Sequence, residues 1–363
     1  MKKSNILIAL LAVGMCAACN HDGETIVNMG QEAVVPTNMP PELRLTYGHD
    51  AAGTRAGSSV QSTQFDANEN IDVFMRDLGD ASTYTPSVIT YSTDGSGGLS
   101  QTTVAHLYWP KLLRSLEIYG VYPHGSVTGA TPFDYDTEYS FTVRADQTAV
   151  ADYKASDLMI GFPSSPEPAV VEDLPCTLRQ DGDEGTVNLD FKHRLTKIII
   201  TLTPATWVAE SGSIGQVTAN DLAYAGSEDT KYARVTLSNI NRKVSFKVYD
   251  ASSDLGSASA ADEGPTTVVS RGSDIAFIVP PQTIPTGTFI TIDLITKSGE
   301  EETINESFTY ALTSALPLAA KNVYTYNITL TKPQVTVTAN NITAWISSGD
   351  PTSGNAGLVQ PTN

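Results

Sequence analysis

Apolar and polar residues alternate with a period of two along most of the chain, and no stretch sustains the 3.6-residue period of an amphipathic helix. Leu43, Leu45 and Tyr47 alternate with Arg44 and Thr46, which predicts a strand with one buried face. Further strands are predicted over Ile71–Met75, Ser87–Tyr91, Leu116–Val121, Tyr139–Arg144 and Leu158–Ile160. A second series follows over Thr186–Phe191, Lys197–Thr203, Tyr232–Leu237, Lys243–Tyr249, Asp274–Val279, Phe289–Ile295, Thr303–Tyr310 and Tyr324–Leu330. Loops such as Asp94-Gly95-Ser96-Gly97-Gly98 and Pro123-His124-Gly125 have turn chemistry. Only Pro110–Ser115 and Asp152–Asp157 offer room for a short helix.

The pattern breaks in four places. Ala51–Gln64, with Gly53, Gly57 and small polar residues, has almost no apolar surface and reads as an exposed loop, the kind of segment that proteases nick. Arg55 is the only basic residue between Arg44 and Arg76. A proline-rich, acidic stretch from Pro163 to Gly185 reads as a linker and places a domain boundary after residue 185. Many short strands separated by turn clusters predict an all-β chain of two tandem β-sandwich domains. Near the end Val335, Val337 and Ala339 alternate cleanly, but after Asn340-Asn341 the apolar residues Ile342, Ala344 and Ile346 fall on the opposite parity. One extra residue exchanges the faces of a strand, so a bulge or turn is expected at the two asparagines. Ser347–Asn363 is a polar tail.

Residues 1–18 carry Lys2 and Lys3, an apolar run from Ile6 to Val13 and small residues before Cys19. The run is far shorter than the roughly 20 residues of a membrane span, so it reads as a lipoprotein export signal. Cys19 would carry the lipid (palmitate), although Cys16 stands where Leu is usual, and any membrane attachment would depend on that acyl group. Cys176 would then be the only cysteine free to pair, which excludes an intrachain disulfide in the processed chain. The 363-residue chain has a net charge of −18, so nucleic acid and anionic lipid surfaces are not expected partners.

No catalytic constellation emerges. His21, His49, His106, His124 and His193 have no zinc-like spacing, no Gly-x-Ser-x-Gly elbow exists, and Cys176 has no histidine near it in sequence, so the chain reads as a non-enzyme without cofactor or metal. His193, at a strand end, reads as a turn or packing residue. Asp66, Asn68, Asn70 and Asp72 lack the glycine and closing Glu of an EF-hand loop, and Asp181, Asp183 and Glu184 read likewise as a solvated turn. Tyr108-Trp109, Tyr119 and Tyr122 could form a sugar platform, but strand aromatics more often fill sandwich cores.

An ordered set of phrases gives the chain a family likeness: TRAG (54–57), FDANENIDVFM (65–75), YWP (108–110), IYGVYP (118–123), DQT followed by SDLMIG, LDFKHRLTKIIITL (189–202), IVPPQTI (278–284), LAAKNVYTYNITL (318–330) and ITAW (342–345). Together they resemble the fimbrillins, the pilins of type V pili of Gram-negative anaerobes. The likeness implies two transthyretin-like Greek-key β-sandwich domains over 56–185 and 186–363, preceded by a tether and removable strand over 19–55. It implies an arginine-specific surface protease that cuts after Arg55 and leaves Ala56 as the new N-terminus. Leu43, Leu45 and Tyr47 would then leave a groove. A donor segment over 333–346 of another subunit would refill it, with Val335, Val337, Ala339, Ile342 and Trp345 as its apolar residues. The two-residue spacing of both sets fits that exchange. Other pilin subunits and a host or bacterial receptor are the implied partners, at the outer membrane and fimbrium. The competing readings are a non-polymerising surface adhesin or glycan-binding lipoprotein of the same fold, and a pilus anchor subunit.

Overall fold

The computed structural model describes residues 42–49, 65–77, 87–101, 115–129, 133–165, 177–179, 186–208, 214–226, 230–249, 259–260, 266–330, 335–344 and 346–347. The chain is all-β. Its first half contains β1 (Glu42–His49), β2 (Asn70–Asp77), β3 (Ser87–Thr93), β4 (Leu99–Gln101), β5 (Ser115–Tyr122), β6 (Tyr139–Thr142), α1 (Val150–Lys154), β7 (Met159–Ser165), β8 (Thr177–Arg179) and β9 (Thr186–His193). Then come β10 (Thr196–Thr203), β11 (Thr206–Val208), β12 (Ile214–Gln216), α2 (Ala219–Leu222), β13 (Lys231–Ile240), β14 (Lys243–Phe246), β15 (Ser259–Ala260) and β16 (Thr266–Arg271). The series closes with β17 (Asp274–Val279), β18 (Gln282–Ile284), β19 (Gly287–Ser298), β20 (Glu301–Leu312), β21 (Leu316–Leu318), β22 (Asn322–Leu330), β23 (Val335–Ala344) and β24 (Ile346–Ser347).

One large sheet runs in the order β24-β1-β9-β7-β5-β2-β3-β4, with β8 also paired to β5. β1, next to the short end strand β24, approaches β4 at the opposite end, so the sheet curls around one face. That face carries Phe65, Ile71, Val73, Met75, Ile118, Met159, Val187, Leu189 and Phe191, all buried. The strand β9, which a boundary after residue 185 assigns to the second half, pairs with β7 and β1 in this sheet. The chain therefore passes between the sheets at Arg194-Leu195, and Pro163–Gly185 falls within the first sheet's run of strands.

Two four-stranded sheets, β17-β10-β22-β23 and β16-β13-β19-β20, form the second sandwich. Their shared core takes Ile198, Ile200 and Leu202 from β10, Phe277 from β17, Val235 and Leu237 from β13, and Ile290 and Ile292 from β19. The run IIITL on β10 buries residues on both faces, because Ile199, with Ala276, Ile278 and Val323, belongs to another core shared with Tyr119, Val121, Phe141 and Ile160 of the first half. A continuous apolar run is the mark of such two-sided burial.

The halves are also joined by hydrogen bonds. β6 pairs antiparallel with β14, and Gln147, fully buried, uses its side-chain amide like a strand residue. Its Nε2 donates to the Ile278 carbonyl and its Oε1 accepts from the Ile278 N–H, each at 2.8 Å. The edge of β17 is thereby satisfied by a side chain from the first half, where an open edge would otherwise invite a foreign strand.

Candidate strand-exchange edge

The groove that the removable strand would occupy begins with β9. TVNLDFKH alternates, and Val187, Leu189 and Phe191 are fully buried. β1 lies beside it in parallel, and Leu43, Leu45 and Tyr47 are the register partners of Val187, Leu189 and Phe191. The alternating row read from β1 therefore lines up with the row that β9 turns into the core.

The floor of the groove depends on two glycines. Gly120 on β5 and Gly161 on β7 are paired, and Gly161 pairs in turn with Phe191. A Cβ at Gly120 would collide with the Phe191 ring, and one at Gly161 would meet it at 2.6 Å. Real Cβ atoms do not approach that closely, so the ring lies where only glycine leaves space. Phe65 stands edge-on to Phe191 with ring centroids 5.3 Å apart, and Tyr122 packs on Phe65 at 5.0 Å. Phe65 thus anchors the first described residue after the predicted loop directly to the floor.

At the other end of the chain β23 pairs antiparallel with β22. Val335, Val337 and Ala339 stand opposite Leu330, Ile328 and Tyr326, and Ile342 stands opposite Tyr324, all core residues. The register shifts between Thr325 and Tyr326, whose partners are Asn341 and Ala339, so Asn340 is the extra residue of a bulge. The expected phase change therefore occurs at the asparagines, and it keeps both apolar runs in register with one buried row. Beyond β23, β24 leaves this sheet and pairs antiparallel with β1, His49 with Ile346 and Gly48 with Ser347. In one molecule the predicted removable strand thus pairs with β9 and the predicted donor with β22, and the two meet at His49 and Ile346. Cys19, Arg55, Ala56 and Trp345 lie outside the described residues, as do Tyr108, Trp109, Cys176 and the Asp181–Gly185 cluster.

The other polar groups singled out by the sequence have structural partners. Lys154 bridges Asp66 and Glu69 at 2.5 Å each. Burial alone would lower the Lys154 ammonium, but the hydrogen bonds and charges of those carboxylates outweigh it and hold it above its ordinary value. Asp72 is buried and accepts hydrogen bonds from the Gly125 N–H at 2.7 Å and Thr90 Oγ1 at 3.1 Å, with His124 Nδ1 at 2.6 Å. The alternating Asp66 and Asp72 thus face a lysine and a histidine, and among the described residues no three metal-ligating groups converge. His193, read as a packing residue, is buried against Asp157 with Nδ1 2.9 Å from the carboxylate. Tyr119 and Tyr122 are buried in cores and offer no exposed platform.

The family model described as fimbrillin-like matches residues 54–345. None of the curated proteins matches the chain. Among solved structures, a candidate cell adhesion protein from Bacteroides ovatus is similar with a TM-score of 0.54 at 16% identity, over 85% of this chain and 98% of that one. A second, from Bacteroides uniformis, has a TM-score of 0.52 at 19% identity, over 85% of this chain and 99% of that one. These two likenesses establish a shared fold. The family match covers most of the chain and agrees with its all-β architecture: the chain belongs to the fimbrillin-like family, whose members are structural and not enzymatic proteins.

Proposed function

We propose that the chain is the precursor of a structural pilin, a stalk or tip subunit of a cell-surface type V pilus. It is exported as a lipoprotein through Cys19 and cut after Arg55 by an arginine-specific surface protease. It then polymerises as the C-terminal segment 333–346 of a second copy takes the place of β1. Residues 19–55 act as a propeptide in this reading, and adhesion follows from the assembled filament.

One observation carries the proposal: Leu43, Leu45 and Tyr47 are in register with the fully buried Val187, Leu189 and Phe191. Loss of β1 would leave an unpaired strand edge beside an apolar row, and such an edge drives association. The C-terminal runs that flank Asn340 have the spacing to fill it, with main-chain hydrogen bonds supplying affinity and alternate side chains supplying register. The test is the Arg55→Ala variant treated with an arginine-specific protease. It should stay monomeric while the parent chain forms a ladder of oligomers; equal ladders from both would refute processing at Arg55.

A further inference from the structure

β1 has two neighbours, and they have different roles in the proposed exchange. Along Glu42–Tyr47 it covers β9, the edge that accepts a strand. At His49 it holds Ile346, the last residue of the segment that is to be donated, and at Gly48 it holds Ser347 just beyond it. Among the described residues β1 is the only strand hydrogen-bonded to β24, and β22 is the only one hydrogen-bonded to β23. β23 is therefore an edge strand, interrupted by the bulge at Asn340, whose far end is tied down in another sheet. An edge strand with a bulge and a free end opens more readily than one fastened at both ends, because opening can start at the end without breaking the ladder elsewhere.

We infer that β1 locks the molecule twice: it fills the acceptor edge of β9 and, through Gly48 and His49, pins the donor segment at Ile346 and Ser347, so that its removal opens both together. The inference rests on the reading of β1 as a removable strand. It adds that the donor is held in cis by the same element that blocks the acceptor. An uncut subunit is then unable to donate as well as unable to accept, and it cannot cap a growing chain.

Hydrogen exchange on the segment 335–347, followed by mass spectrometry, tests this. The full-length Arg55→Ala protein is compared with the cut protein, both as dilute monomers isolated by size exclusion. Exchange should be at least about tenfold faster after the cut, as expected when a segment's opening no longer requires a second contact to break. A second variant removes any doubt about refolding. His49→Cys with Ile346→Cys places thiols on paired antiparallel residues, a separation that a disulfide can span. Cut while oxidised, it should keep the slow exchange, and a reductant should release it; the two single variants control for Cys176. Equal exchange before and after removal of β1, or release that does not wait for the reductant, overturns the lock. Faster exchange without any ladder would leave the lock standing and refute strand exchange between copies.

Discussion

Gly161 pairs with Phe191 across the β7–β9 ladder, and its missing Cβ is what admits the phenyl ring, which a methyl group would approach to 2.6 Å. Phe65 closes on the same ring from the side. The groove floor beneath the last full strand is thus fixed by an aromatic lying over two glycines. Gly161→Ala should destabilise the protein by about 1–3 kcal/mol, the usual cost of overpacking a filled core. The midpoint of urea unfolding reads that cost, and an unchanged midpoint would show that the ring has room to move.

Gln147 makes a second prediction. It satisfies both the N–H and the carbonyl of Ile278 from across the boundary between the halves. Gln147→Ala leaves two buried backbone groups without partners, at about 1–3 kcal/mol each. Denaturant unfolding followed separately by probes in each half should show the second sandwich losing stability, and the two transitions drawing apart.

Acid should weaken the same junction. Asp146 accepts from Arg271 Nη1 at 2.7 Å, and although burial pushes its carboxyl up, the hydrogen bonds from Thr148 and Arg271 outweigh it and hold it below the ordinary carboxylate value. A lowered carboxyl contributes stability above its unfolded pKa of about 3.9, and that contribution disappears as pH falls through the folded value. Asp146 is half exposed, so the contribution of the pair stays below about 1 kcal/mol. Asp146→Asn should therefore be less stable than the parent at pH about 6, and the difference should shrink as the pH falls below about 3.9. Thermal unfolding across that range checks the sign.

The bulge at Asn340 is the next target. Its deletion brings Val335, Val337, Ala339, Ile342 and Ala344 onto one parity and keeps their partners on β22, so β23 becomes a continuous edge strand without a bulge. The deleted protein should unfold at the parent's denaturant midpoint or above it and should form its ladder more slowly after cutting, because β23 no longer opens at a bulge. Ladders that form as fast as the parent's would mean that the bulge has no part in releasing the donor.

Much of this was legible in the residues because alternation reports burial directly. The alternation of Leu43, Leu45 and Tyr47 predicted a strand, which forms as β1, and the parity change after Ala339 predicted the bulge, since one inserted residue is what keeps both runs in register with a single row of partners. The short helix read over Asp152–Asp157 forms as Val150–Lys154. Other features were hidden for physical reasons. β16 escaped notice because TTVVSR buries Ser270 as well as Val268, so polarity no longer marks its faces. Sheet membership of β9 was invisible, since alternation shows that one face is buried but not which neighbour covers it. Gln147 looked like an ordinary polar residue, because a side chain that imitates a strand has no periodic signature. The pairing of His49 with Ile346, separated by nearly the whole chain, is a tertiary contact that no local pattern encodes.

The central claim is that loss of β1 by cleavage after Arg55 makes the subunit polymerise. It is tested most directly by treating the purified precursor with an arginine-specific protease, separating the products on an undenatured gel, and reading the N-terminal sequence of each band. The account predicts that every rung above the monomer begins at Ala56 and that uncut chains remain at the monomer position. Rungs that retain the residues of β1, or chains that begin at Ala56 and remain monomeric at high concentration, would contradict it.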